Sequence, residues 1–308
     1  MIIHASSKSY SPAELNVIKD TKPDIPIVLV TRTSDFIFNE QLTGLKKYAL
    51  VDLCEYGWDE DLKRGTHFFG DGKNIYPELF HTDEWKKFDD FVAANPPLVY
   101  FKRELLKQDM RDNIFPIDYP CFYYDNRIQT KDTFNGRPIN VFHYWGRSSE
   151  DRVKVHVDFW MRSSKNGASV CDNVYYVNSF INHEENKNKW VSVCIPHYSR
   201  IDISNILAIN GMSKLSLSMK GCGFKCFRHA ESPINSVMVM QDAGIKFTYD
   251  WVHGENCIMY KDNPVQAIEQ ALERSDLYDI YLKGIETIDK YRPHNYNKYI
   301  EETISKFL

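Results

Sequence analysis

GCGFKCFRHAES, Gly221 to Ser232, brings two glycines, two cysteines and the side chains of Lys225, Arg228, His229 and Glu231 into twelve residues. It follows a strand-like alternation, KLSLSM (Lys214–Met219), and precedes INSVMVMQDAG, which reads as a helix. Gly221 and Gly223 would let the backbone approach a diphosphate and aim N–H groups at it, and a following helix N-terminus would add positive potential. Lys225 and Arg228 would supply charge, Arg228 through a bidentate fork suited to phosphate oxygens. Glu231 would accept hydrogen bonds from a ribose or sugar hydroxyl. If a diphosphate leaves during the reaction, charge grows on it, so such groups hold the transition state more firmly than the ground state. The competing reading is a surface turn with a solvated Arg228 and Glu231.

Two other spacings point toward metals. Cys194-x2-His197 and Cys226-x2-His229 formally make a Cys2His2 set. These pairs sit at the ends of neighbouring strands, and a chain of this size needs no metal staple, so buried thiols are the expectation. Asp59-Glu-Asp61 has the Asp-x-Asp spelling that can hold a divalent ion on a diphosphate, within a polar stretch that otherwise reads as a solvated acidic loop. Arg147 and Arg152, in RSSEDR, offer a second cationic contact or a self-paired exposed loop.

The elements that would position these groups follow the rhythm of parallel sheets. IPIVLVT (25–31) is an apolar run of strand length, NEQLTGLKKYA suits a helix, and ALVDLCEY (49–56) a second strand. HTDEWKKFDDFVAAN has Thr82 as a cap and Trp85, Phe88, Phe91 and Val92 on one face. PPLVYFKR and DYPCFYY are further strands. DTFNGRP (132–138) is the expected linker, with Asn-Gly and a proline together. The rhythm restarts with INVFHYW, the helix SSEDRVKVHVDFWMRSS, and the strands WVSVCI and KLSLSM. Three helices close the chain: NPVQAIEQALERS, DLYDIYLKGIETIDKY and HNYNKYIEETISKFL. The expectation is two α/β domains, 1–136 and 137–308.

Composition agrees with a globular protein. Of 308 residues, 43% are hydrophobic and 26% charged, and the net charge is −4. The first 136 residues carry 17 basic and 22 acidic side chains (−5), the remainder 21 and 20 (+1). Neither half is basic enough for general nucleic-acid binding. Seven scattered cysteines argue for reduced thiols rather than a disulfide framework. No leader-like segment opens the sequence and no apolar run is long enough to span a membrane, so a cytoplasmic protein is expected.

INVFHYWGRSSEDR, then VSVCI with PHYSRIDISNIL, then KLSLSM with GCGFKCFRHAES, then WVHGENCIMYKDNPVQAIEQAL together resemble the C-terminal half of GT-B-fold glycosyltransferases, over about 137–290. Many retaining members carry two glutamates separated by seven residues here; in this sequence Glu231 stands alone and position 239 is Val. The resemblance implies two Rossmann-like αβα domains facing across a cleft, with the last helix packing back on the first. It implies transfer of a sugar from a nucleoside-diphosphate-sugar donor to a hydroxyl of a glycan, glycoprotein or lipid-linked acceptor, with no cofactor and no required metal. It implies donor contacts at Gly221, Gly223, Lys225, Arg228, Glu231, Arg147, Arg152 and Tyr198, the last near the nucleobase. Asn256, in the Asn-Cys-Ile segment, is a further donor candidate or a turn residue.

A general base must approach from the opposite side of the cleft. Asp35 after the first strand, and Asp52 and Glu55 at the end of the second, are the carboxylates at strand C-termini. Three alternatives stay open: a metal-dependent GT-A-type transferase using Asp59 and Asp61, an epimerase or phosphate-ester hydrolase using the same turn, and a non-catalytic nucleotide- or glycan-binding module.

Overall fold

The computed structural model describes residues 1–5, 17–30, 40–42, 44–53, 83–122, 128–146, 150–166, 189–195, 203–220 and 225–308. Two five-stranded parallel sheets organise them. The first is built in chain order from β1 (Ile2–His4), β2 (Ile27–Val30), β3 (Ala49–Asp52), β4 (Val99–Lys102) and β5 (Ile114–Pro116). The second contains β6 (Ile139–Gly146), β7 (Lys189–Ile195), β8 (Ser213–Ser218), β9 (Val237–Gln241) and β10 (Ile258–Tyr260), in the spatial order β10-β9-β8-β6-β7.

The short apolar runs become strands because each is buried on both faces, as a parallel sheet covered on two sides requires. Along β2, Ile27 and Leu29 enter one core with Val51, Phe101 and the last helix, α8 (Pro293–Ser305), through Tyr296, Ile300 and Ile304. Val28 and Val30 enter the opposite core, with Phe88 and Phe91 of α1 (Asp83–Ala94). The C-terminal helix thus completes the first sheet rather than the second.

Around the second sheet, α2 (Lys131–Asn135), α3 (Glu150–Asn166), α6 (Pro264–Leu272) and α7 (Leu277–Asp289) share one core with Val141, Leu215 and Val239. On the other face lie α4 (Ile203–Gly211) and the single turn α5 (Arg228–Glu231). A shared cluster joins Leu106, Tyr119 and Cys121 to Ala230, Met238 and Met240. Leu106 also bridges to Ile245, with Lys107 N–H donating to Gly244 O at 2.8 Å and Lys246 N–H to Leu105 O at 2.8 Å.

Several local expectations give way to packing. INSVMVMQ is not a helix: Pro233 opens one 3-10 turn (Ser232–Ile234), and the residues from Val237 form β9, buried between β8 and β10. An apolar run buried all round carries no periodicity to separate helix from strand. DYPCFYY supplies no strand over 118–122; Cys121 N–H donates to Tyr291 O instead, while β5 forms earlier. Among its described residues NEQLTGLKKYA forms a 3-10 turn (Glu40–Leu42), and Gly44 takes a φ of 77°. Asp132–Pro138, the expected linker, contributes most of α2, capped by Thr130, with Phe134 stacked on Tyr281 at 4.9 Å.

Candidate active site at the switch of the second sheet

In the second sheet the chain passes from β6 to β7 on one side, then returns to place β8, β9 and β10 on the other. In open parallel sheets ligands bind outside the carboxyl ends of the strands at such a reversal. The first sheet runs in simple sequence order and has no reversal among the described residues. The crevice therefore belongs between β6 and β8. Tyr144 lies near the end of β6, Ser218 ends β8, and Arg228 and Glu231 stand on the turn that follows β8.

Arg228 is only 8% exposed, yet its guanidinium makes no hydrogen bond or ion pair with the described residues, and its Nε is buried without an acceptor. Its central carbon lies over the Tyr144 ring at 5.1 Å, a contact worth about 0.5–2 kcal/mol that neutralises no charge. The Tyr144 hydroxyl donates in turn to Oε2 of Glu231. Burial pushes the Glu231 carboxyl up to about 7. The reading of a solvated surface turn is excluded for both side chains.

Two buried neighbours register the positive potential. His143 is held well below the ordinary imidazole range, first by burial and then by Arg228, Arg152 and His156. Trp145 Nε1 can only donate, and it reaches Nδ1 of His156 at 3.3 Å. Ser192 Oγ lies 2.9 Å from that nitrogen and 3.3 Å from Nδ1 of His143. Nε2 of His143 is buried without a partner among the described residues. For Cys226, burial raises the thiol, but His229, Arg228 and Arg152 outweigh it and hold it well below the thiol range. Cys226 N–H donates to Nδ1 of His229 at 3.0 Å. The same bond occupies the lone pair that a metal would need from Nδ1. His197 lies outside the described residues, among which no group of three potential metal ligands occurs.

The remaining site expectations divide sharply. Lys225 is buried and engaged: Nζ lies 2.6 Å from Asp118 and donates to Ile117 O at 3.0 Å, while its N–H donates to Glu104 at 3.0 Å. Burial lowers its pKa against the opposing pull of Asp118 and Glu104. Lys225 is thus an anchor to the first sheet's connections, not an open phosphate cation. Arg152 donates to the carbonyls of Lys220 (2.7 Å) and Met219 (3.0 Å), holding the approach to 221–224 in place. Asn256 braces its own turn, accepting from Val252 N–H at 2.7 Å and donating to Asp250 O and Thr287. It is a turn residue rather than a donor contact.

Asp52 is wholly buried at the end of β3, with Lys102 Nζ at 2.6 Å and the Tyr100 hydroxyl at 2.8 Å on one oxygen. Its charge is already matched, which corrects the expectation of a base open to the cleft. Asp35, Glu55, Asp59, Asp61, Arg147, Tyr198, Gly221 and Gly223 lie outside the described residues. The helix-dipole expectation at this turn also falls, because α5 is a single turn (Arg228–Glu231) followed by the 3-10 turn. Sequence reasoning missed Tyr144, Asp118 and Glu104. Tyr144 had a usable signal, its place near the end of a strand; the two acids had none.

No protein-family model matches the chain, and no curated protein matches it. Solved structures do. A UDP-forming α,α-trehalose-phosphate synthase from Burkholderia vietnamiensis superposes with a TM-score of 0.52 at 9% identity, over 92% of this chain and 75% of that one. This chain has the GT-B fold. An α-glucosyltransferase in complex with UDP-glucose and abasic-site DNA matches over 99% of this chain and 98% of its own, with a TM-score of 0.46 and 12% identity. TarM matches at 0.49 and 13%, and there this chain spans 57% of the other's length. At these identities the likeness is one of fold. The GT-B fold is what sets one switch crevice, that of the second sheet, beside the connections of the first.

Proposed function

We propose that this chain transfers a glycosyl group from a nucleoside-diphosphate sugar to a hydroxyl acceptor. One observation carries the reading: a buried guanidinium without an anionic partner among the described residues, Arg228, at the switch crevice of a GT-B fold. A desolvated cation without a counter-charge is costly, and a diphosphate would supply that charge. A trehalose-phosphate synthase that shares the fold is UDP-forming, which agrees with a nucleoside diphosphate as leaving group.

Arg228 meets charge as it grows on the leaving diphosphate, and Glu231, aligned by Tyr144, accepts a hydroxyl of the donor. Gly221, Gly223, Arg147 and Tyr198 complete the proposed donor site. Arg152 holds the carbonyls of Met219 and Lys220, the residues that precede the glycines in sequence. With Asp52 occupied by Lys102, Glu55 and Asp35 are the proposed bases, taking the acceptor proton from the first domain's side. The acceptor is a glycan, glycoprotein or lipid-linked sugar. No described helix is long and apolar enough to cross a membrane.

Because Arg228 supplies the countercharge, transfer should persist in EDTA. The test pairs that assay with calorimetry of UDP binding. Activity lost on chelation, restored by manganese and abolished by Asp59→Ala would overturn the metal-independent reading in favour of Asp59 and Asp61. Wild-type UDP affinity in Arg228→Ala would overturn the site.

A further inference from the structure

A cavity of about 320 Å3 opens at the ends of β9 and β10, two strands away from the switch point beside Arg228. Lys107, which follows β4 of the first sheet, forms one wall, so the cavity belongs to both halves of the molecule. Its size falls at the lower end of the roughly 300–1,000 Å3 range of small-molecule sites.

The lining has two characters. Met240, Phe247 and Trp251 provide an apolar and aromatic surface. Lys107, Asp242, Lys246 and Asp250 provide two cations and two anions, and Lys246 pairs with Asp250 at 2.6 Å. Charge is therefore balanced, unlike at Arg228, and no field selects an anion or a cation. The carboxylates can accept from hydroxyls and the ammonium groups can donate to them, while the rings suit C–H faces. A hydrocarbon would leave those polar groups unanswered, and a phosphate would meet two carboxylates. A polyhydroxylated ring with apolar faces satisfies both surfaces.

We infer that this cavity binds a neutral saccharide, at a site distinct from the donor crevice. Phe247 lines the cavity and also contacts the donor turn, with Lys225 Nζ 5.0 Å from its ring and His229 edge-on at 5.6 Å. The bound sugar is a remote unit of an oligosaccharide acceptor; that assignment rests on the transfer reading, whereas binding itself does not.

The experiment titrates maltose, lactose and N,N′-diacetylchitobiose into the full chain by calorimetry, with and without saturating UDP, and uses methyl glucuronide as a charged control. At least one disaccharide should bind with a Kd of about 1 mM, and UDP should not displace it. Asp242→Ala and Lys107→Ala should each weaken that binding about tenfold while leaving UDP affinity and melting temperature unchanged. Arg228→Ala should weaken UDP binding about ten- to hundredfold and keep the sugar. A chain that binds UDP but none of the disaccharides overturns the inference, as does binding insensitive to both variants or a preference for the glucuronide. Disaccharide binding that responds to both variants in a chain indifferent to UDP would leave the cavity assignment standing and sink the transfer reading.

Discussion

Arg228 and Glu231 make opposite demands on function and stability, and the two can be separated by measurement. Removing a charge-assisted contact to the diphosphate should cost Arg228→Ala about 1.5–3 kcal/mol, one to two decades in kcat/KM. Arg228→Lys should recover only part, since a point charge cannot reproduce the fork. In the absence of ligand, Arg228→Met should melt higher than wild type, because it replaces an unpartnered buried cation by an apolar chain of similar length. A lower melting temperature would show that the guanidinium is satisfied in the free protein. Glu231 titrates near 7 when folded against an ordinary 4.5, so between those values the folded chain keeps a proton that the unfolded chain has released. Its contribution to stability therefore falls as pH rises from 4.5 to 7 and is level above. Glu231→Gln should match wild type in acid and exceed it by about 3 kcal/mol at pH 8, the full linkage between 4.5 and 7. A difference that stays constant with pH would sink this assignment.

Among elements, the turn that carries Arg228 is set by its attachment to the first sheet's connections. Asp118 holds Lys225 Nζ and accepts from Thr248 N–H at 2.6 Å, and Glu104 takes the Lys225 N–H. Two residues further, Phe227 packs on Tyr119 at 4.3 Å, with Arg103 over the same tyrosine ring at 3.8 Å. Asp118→Ala leaves a buried lysine uncompensated and should destabilise the fold by about 3–5 kcal/mol. Asp118→Asn should lose less and retain the Thr248 contact. Its informative readout is nucleotide affinity: Asp118 contacts Lys225 and Thr248 rather than Arg228 or Glu231, so a weaker UDP interaction at unchanged secondary structure would show that the first half aims Arg228. UDP affinity equal to wild type in a folded Asp118→Asn would show that the ion pair serves stability alone.

For the molecule as a whole, the C-terminal helix closes a core that begins some 270 residues earlier in the chain. Ile300 is fully buried against Ile27, Leu29, Val51 and Phe101. Ile300→Ala should cost about 2–5 kcal/mol. The loss should appear as faster proteolysis of the first sheet, with the α2–α3–α7 core less affected. Unfolding followed in parallel by fluorescence and limited proteolysis would check this, and equal loosening of both sheets would refute it.

How much of this was legible beforehand depends on how local the determining forces are. Helices α6, α7 and α8 could be read directly, because Asn263 caps the first, prolines open the first and last, and each buries one stripe. The strands β2 and β4 announced themselves as short apolar runs, and β8 by its alternation. β9 did not, since a segment buried on every side looks the same in either conformation until its neighbours are known. At the site, residue types alone singled out Arg228 and Glu231. Chemistry could not say that Lys225, three residues away, spends its charge on Asp118, or that Asp52 spends its own on Lys102. Those partners lie 107 and 50 residues distant in the chain, and only the packing of the strands and their connections brings them within 2.6 Å. Sequence determined which side chains could carry charge into the crevice; tertiary structure decided which remained unpaired there, because burial and pairing are properties of the folded neighbourhood.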